Sequence, residues 1–256
     1  MLAVIGGTGL SEMTGFESTG RKRLHTPFAD RRVWVELLQY RNNTLAFLLR
    51  HGKNHVIPPH KVNYRANLWA LHQLGVTQIV AVNAVGGIHE SLAPGCFAIP
   101  DQIIDYTYGR SNTFFEEDLE SVTHIDFTYP FTETLRQALL ESVNAANKAS
   151  SEPRLITDGG VYGCTQGPRL ETAAEVSKLK RDGCDLLGMT AMPEAALARE
   201  LGMDYAMLAL SVNRAAGLFE GEIRMEDITA VVEDGMEFVV SVLQSLVQNQ
   251  AGNGNN

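Results

Sequence analysis

The sequence predicts a single α/β domain, a central mixed β-sheet flanked by helices. Short apolar runs recur along the whole chain, and most are continuous rather than alternating, as in strands covered on both faces. Segments with helical periodicity fill the gaps between several of these runs.

Strands are expected at residues 2–5, 33–38, 44–49, 78–83, 99–105, 155–162, 185–189 and 205–211. A helix over 62–73 puts Leu68, Trp69 and Leu71 on its apolar side and stops before Gly75, which suits a left-handed C-terminal cap. Segments 131–147 and 171–181 follow the same logic, the latter ending before Gly183. Pro193 opens a helix over 193–201 and Gly202 lies just past it, the favoured asymmetry of helix ends. The longest helix, 229–247, carries Val232, Phe238, Val239, Val242 and Leu246 near helical spacing. No internal repeat interrupts the chain. Residues 1–247 read as one domain and 248–256, rich in Asn, Gln and Gly, as a disordered tail.

At 256 residues the chain can hide roughly three-quarters of its unfolded surface, enough for a sizeable core. A formal charge of -9 with no basic stripe argues against nucleic acid as a partner, so any anion must be captured by local donors rather than by the overall field. Cys96, Cys164 and Cys184 are few, odd in number and widely spaced, the usage of a reducing compartment. The N-terminal residues lack a basic leader, and no apolar run approaches the roughly 20 residues that span a bilayer. A soluble cytoplasmic protein with no membrane partner is expected.

Chemistry concentrates at strand ends. Gly6-Gly7-Thr8-Gly9 follows the first strand; it is neither a dinucleotide fingerprint nor a P-loop, and reads as a tight turn or as an anion cradle of backbone N–H groups and the Thr8 hydroxyl. Arg50-His51-Gly52-Lys53-Asn54-His55 packs several donors into six residues: a solvated basic turn or a phosphate grip. Asn83-Ala84-Val85-Gly86-Gly87 closes another strand with small residues, as a simple turn or as a place where a ligand approaches backbone. Met189-Thr190 sets an apolar contact beside a hydroxyl at one strand end, and Asn213 sets an amide at the end of a later strand. Together these suggest a site for phosphate, a sugar and a polar heterocycle.

The order of these segments resembles the trimeric purine nucleoside phosphorylase and methylthioadenosine phosphorylase group over nearly the whole chain. The resemblance rests on the segments at 6–9, 50–55 and 83–87, on Val62-Asn63-Tyr64-Arg65-Ala66-Asn67, Gly167-Pro168-Arg169 and Gly188-Met189-Thr190, and on Pro193-Glu194. It implies the nucleoside phosphorylase fold and phosphorolysis, in which inorganic phosphate, a co-substrate, displaces a purine from the anomeric carbon with no further cofactor and no metal. It also implies Thr8, Arg50, His51, His55 and Thr190 as phosphate ligands with Ala84 contributing backbone, and Met189 as the ribose contact. His124 resembles the residue that enters a neighbouring subunit's site, which implies a homotrimer; read alone, it is an ordinary surface or capping histidine.

Departures within that resemblance bear on the substrate. Where the methylthioadenosine branch has two aspartates after the late strand, this chain has Asn213 and Ala215. An amide can donate to a 6-oxo group and meet a protonated N7 through its oxygen. Glu171 stands where that branch has serine, and a carboxylate can accept the N1–H of a 6-oxopurine, whereas adenine N1 is itself an acceptor; Glu171 also reads as an ordinary first-turn helix acid. Asn83 in place of threonine leans the same way. At the sugar end, oxopurine relatives place a histidine near the 5′-hydroxyl; here Met225 and Ile228 offer a thioether and a branched aliphatic, suited to a methylthio group. Asn213 and Glu171 are therefore the expected catalytic pair and S-methyl-5′-thioinosine the expected substrate, ahead of methylthioadenosine, of inosine or guanosine, and of a nucleoside-binding protein without activity.

Overall fold

Continuous apolar runs become strands buried on both faces. The computed structural model describes residues 1–252 apart from Ser11 and Asp118. In chain order the strands are β1 (Leu2–Gly6), β2 (Glu17–Thr26), β3 (Ala29–Tyr40), β4 (Asn43–Leu49), β5 (Gln78–Gly87), β6 (Phe97–Ile99), β7 (Gln102–Asp105), β8 (Ile156–Asp158), β9 (Val161–Cys164), β10 (Leu186–Gly188) and β11 (Asp204–Arg214). The helices are α1 (Tyr64–Gln73), α2 (Glu133–Ala149), α3 (Ala173–Arg181), α4 (Ala191–Glu200) and α5 (Met225–Gly252).

The strands make one mixed sheet in the order β2-β3-β4-β1-β5-β10-β9-β7, from which β11, β6 and β8 branch at β5. Alternate residues of the central strands feed two cores. Leu2, Val4, Val80, Val82, Leu208 and Leu210 face α2 and α5, while Ala3, Ile5, Ile79, Ala81, Met207 and Ala209 face α1 and α4. Helices thus cover both faces, the layer arrangement the sequence predicts.

Several boundaries move, each for a local reason. The expected strand 99–105 breaks into β6 and β7 at Pro100, and 155–162 breaks into β8 and β9 at Gly159 and Gly160, both with positive φ. The polar strand β2 is absent from the sequence prediction; it is a mostly exposed edge strand bearing Arg21, Lys22 and Arg23, charges that guard an open sheet edge. Residues 83–87 form no turn. Strand β5 continues through Gly87, where an added Cβ would lie 1.9 Å from the Leu92 carbonyl oxygen, so only glycine admits that close approach. Helix α5 runs on through Gly252, with Gln248 donating to the Tyr40 hydroxyl, while residues 253–256 of the expected tail lie outside the described residues. No helix among the described residues is long and apolar enough to cross a membrane.

Leu243 of α5 is fully buried in the core shared with α2. Leu243→Ala is expected to cost ~2–5 kcal/mol in urea unfolding, while Ser241→Ala on the exposed face of the same helix changes stability by less than about 0.5 kcal/mol.

Candidate active site

The sheet forks at β5. Strand β1 pairs with its first half, from Leu2↔Gln78 to Ile5↔Ala81, and β10 pairs antiparallel with its end, Leu187↔Gly86 and Leu186↔Gly87. Between those two ladders, no strand among the described residues pairs with that side of β5. Chain ends converge on this gap. The loop after β1 crosses it so closely that a Cβ on Gly7 would stand 2.4 Å from the Val82 carbonyl oxygen and 3.0 Å from Arg50 Nη1. The chain leaving β10 runs back beside β5, which brings Thr190 to Asn83: Asn83 Nδ2 donates to Thr190 Oγ1 at 2.6 Å.

Beneath the gap lies a buried ion pair. Arg50 follows β4 and Glu194 sits in the first turn of α4; both side chains are 1 % exposed. Arg50 Nε and Nη2 donate to the two Glu194 carboxylate oxygens at 2.6 and 2.7 Å, and the Tyr205 hydroxyl donates to Glu194 Oε1 at 2.8 Å. Burial alone would lower the Arg50 pKa, but the Glu194 charge more than offsets it and holds the guanidinium ionised. Two of Arg50's donor edges are therefore committed to Glu194, and Nη1 remains under the Gly7 loop with a long bond, 3.4 Å, to the Val82 carbonyl oxygen.

His51 is buried beside this pair. Its Nδ1 lies 2.7 Å from the Ile57 carbonyl oxygen, and a carbonyl only accepts, so Nδ1 carries the proton. Burial and the Arg50 charge push its pKa down to about 4, so the ring is neutral near pH 7 and Nε2 bears a lone pair. His55 is exposed, with positive φ and its ring 4.4 Å from that of His51; burial and Arg50 lower its pKa too.

Other groups gather at the far side of the fork. Glu171 precedes α3 by two residues, and the cap of that helix is built by Thr172 and Glu175 instead, so the first-turn role open to Glu171 in the sequence is filled by another acid. Glu171 Oε1 accepts from Thr165 Oγ1 at 2.6 Å, and Thr165 N donates to the Gly188 carbonyl oxygen. Gly167 packs on Met189 so tightly that a Cβ would meet its sulfur at 2.4 Å. Asn213 follows a register shift in β11 and pairs with Gly86 of β5; its amide Nδ2 donates to the Arg214 carbonyl oxygen and would be 3.5 Å from a Cβ on Gly86. Next to Asn213 opens a cavity of about 210 Å³ whose apolar wall is Val212, Phe219, Ile223, Ile228 and Val231.

The structure thus brings together Thr8, Arg50, His51, Ala84, Met189 and Thr190 around the fork, with Asn213 at its rim and Ile228 in the adjoining wall. Met225 does not join that wall: it is the first residue of α5 and 63 % exposed, because the helix starts earlier than the sequence suggests. Ile223, on the loop before α5, lines the cavity instead. His124 lies exposed in the irregular segment between β7 and α2, where it meets none of these groups within one chain. The buried pairing of Glu194 with Arg50 and the Thr165 relay are absent from the sequence reading, and neither leaves a local signal. All three cysteines are free and buried, with burial raising the Cys164 thiol to about 12. Among the described residues no cluster of His, Cys, Asp and Glu could hold a metal ion.

Layered helices over a forked mixed sheet, with donors converging on the fork, define an α/β protein with a polar site at the division of its sheet. Comparison with known proteins supplies its kinship. The phosphorylase superfamily profile matches residues 1–248. A protein of Pseudomonas syringae pv. tomato, described as a probable S-methyl-5′-thioinosine phosphorylase, is 51% identical over 94% of this chain and 96% of its own. The 6-oxopurine nucleoside phosphorylase of Pyrococcus furiosus is 38% identical over 96% of this chain and 91% of its own. Methylthioadenosine phosphorylase of Schistosoma mansoni, solved in complex with adenine, superposes with a TM-score of 0.90 at 31% identity, over 98% of this chain and 92% of that one. The chain belongs to the phosphorylase superfamily.

Replacing one partner of a buried ion pair strands the other charge. Glu194→Gln is expected to cost about 3 kcal/mol or more, read as a fall in urea-unfolding free energy. A histidine that binds protons less readily folded than unfolded contributes stability above its ordinary pKa, about 6.5, and that contribution is lost as pH falls toward about 4. His51→Gln is expected to flatten this acid limb in unfolding measured from pH 7 to pH 4; an unchanged limb would refute the assignment.

Proposed function

We propose that the protein catalyses phosphorolysis of S-methyl-5′-thioinosine, giving hypoxanthine and 5-methylthioribose 1-phosphate. The observations that carry this reading are Glu171, freed from helix capping and bonded to Thr165, and Asn213, which borders a cavity with an apolar wall. Glu171 accepts N1–H of the 6-oxopurine. A 6-aminopurine would set an acceptor against this carboxylate, a loss of roughly 1–3 kcal/mol, or about fivefold to 150-fold in preference. The wall of Ile223, Ile228 and Val231 suits a methylthio group. The name borne by the Pseudomonas syringae relative agrees with this reading.

In the proposed reaction a phosphate oxygen attacks the anomeric carbon as the bond to purine N9 breaks. The bond pair flows into the base, N7 takes up through solvent the proton that hydrogen phosphate gives up on becoming the sugar phosphate, and the Asn213 amide oxygen accepts the N7–H. Thr8, Arg50, His51, His55, Thr190 and the backbone at Ala84 hold the phosphate, and Met189 lies against the ribose. Because Glu194 balances Arg50 and His51 is neutral, the slot carries little net charge of its own. Oriented donors hold the phosphate, and the phosphate's own negative charge stabilises the oxocarbenium-like transition state. His51 Nε2 accepts from a protonated phosphate oxygen. His124, remote from the fork within one chain, would complete the site of a neighbouring copy in a homotrimer.

Steady-state rates with phosphate on S-methyl-5′-thioinosine, S-methyl-5′-thioadenosine and inosine test the reading. The first is expected to give the highest kcat/KM. Faster use of the adenosine compound would assign the enzyme to that substrate, the ligand class of the Schistosoma mansoni structures, and preference for inosine would make it a general 6-oxopurine phosphorylase. Asn213→Asp is expected to move the 6-oxo to 6-amino preference at least tenfold toward 6-aminopurines; an unmoved preference removes Asn213 from base recognition.

A further inference from the structure

Arg110, on the irregular segment after β7, has no role in the proposed phosphorolysis, yet it is among the most heavily bonded side chains near the fork. Its Nη1 donates to the Met189 carbonyl oxygen at 2.8 Å and to that of Met192 at 2.6 Å. Its Nη2 donates to the carbonyl oxygens of Gln166 at 2.8 Å and Thr165 at 3.3 Å, and its Nε to Gln166 Oε1 at 3.2 Å. The guanidinium also lies over the Tyr64 ring, 5.7 Å from its centre, with Nη1 3.4 Å from the hydroxyl. No carboxylate pairs with it among the described residues. A half-buried cation that spends its donors on neutral carbonyls acts as a tie between backbone segments.

The two segments it ties are those that matter to the proposed reaction. Parallel strands β9 and β10 are held by their ladder as far as Gly188↔Cys164, and Thr165 N to Gly188 is the last backbone bond between them. Beyond it the chains diverge. One carries Gln166 and leads to Glu171; the other carries Met189, Thr190 and Met192. Among the described residues no backbone–backbone hydrogen bond joins 166–171 to 189–192, and Arg110 bonds to both. Thr165 offers its carbonyl to Arg110 and its hydroxyl to Glu171. On the other arm, Met189 offers its carbonyl to Arg110, and the next residue, Thr190, is bonded to Asn83.

We propose that Arg110 is a positioning residue that fixes the base-reading carboxylate of Glu171 relative to the phosphate-side hydroxyl of Thr190. This deepens the function proposed above and rests on it. A lysine keeps the charge but has three donors on one nitrogen, and cannot span carbonyls on two segments.

The test compares the full-length enzyme with Arg110→Lys and Arg110→Gln, on whichever purine nucleoside the wild type uses fastest, alongside thermal unfolding. In folded variants kcat is expected to fall roughly tenfold to a hundredfold, the scale of a misplaced reacting group. The KM for phosphate is expected to stay within about threefold, and the 6-oxo to 6-amino preference to narrow, because Glu171 is no longer held; a merely structural tie would leave the preference where it was. Folded variants with unchanged kcat and preference overturn the proposal, as does a fall in kcat that only tracks lost folded protein. If neither variant folds, Thr165→Val decides: it keeps the carbonyl that Arg110 holds and removes the hydroxyl that reaches Glu171, and an unchanged preference there overturns the proposal. A wild type that prefers a 6-aminopurine nucleoside defeats the substrate reading instead, and the kcat of the Arg110 variants still reports on positioning.

Discussion

The bond between Arg50 and Glu194 organises the centre of this protein. It joins the end of β4 to the start of α4 beneath the point where the sheet divides, and it draws Tyr205 of β11 into the same cluster. Two buried charges are costly to desolvate, and only near-ideal geometry with further hydrogen bonds offsets that cost. Here the fork-to-carboxylate geometry and the Tyr205 hydroxyl supply both. The end of β4 is thereby fixed against the consecutive elements α4 and β11, 144 positions on at the ion pair, and the remaining face of the guanidinium is aimed at the glycine loop after β1.

Small residues let the backbone itself form the floor above that pair. Gly7 rests on the Val82 carbonyl and Gly87 on the Leu92 carbonyl, at distances that any Cβ would forbid. Side chains with chemistry then rise from the rim: Asn83 and Thr190 on one side, Asn213 and Glu171 on the other. A single division of the sheet accounts for their meeting, since β1 ends and β10 begins along the same edge of β5.

Much of this was legible in the residues. The buried strands β1, β4 and β10 announce themselves as unbroken apolar runs, and Pro193 marks the start of regular helix because Met192 before it is extended. Asn213 and Glu171 could be singled out because their chemistry differs from that of neighbouring branches of the family. What escaped was non-local or disguised. Glu194 reads as a first-turn helix acid, and its partner lies 144 positions away. The glycines at 86 and 87 read as a turn, since glycine usually punctuates; at Gly87 the real reason is the Leu92 carbonyl packed against it. Strand β2 lacks an apolar face altogether, and the exposure of Met225 depends on where α5 begins.

The proton on His51 Nδ1 is held by the Ile57 carbonyl, which leaves the opposite nitrogen as a taker of hydrogen bonds, not a giver. On the proposed assignment, the slot can then tell two tetrahedral oxyanions apart. Phosphate near neutrality still owns a hydrogen to offer that nitrogen; sulfate, of almost the same size and shape, has none and would set lone pair against lone pair.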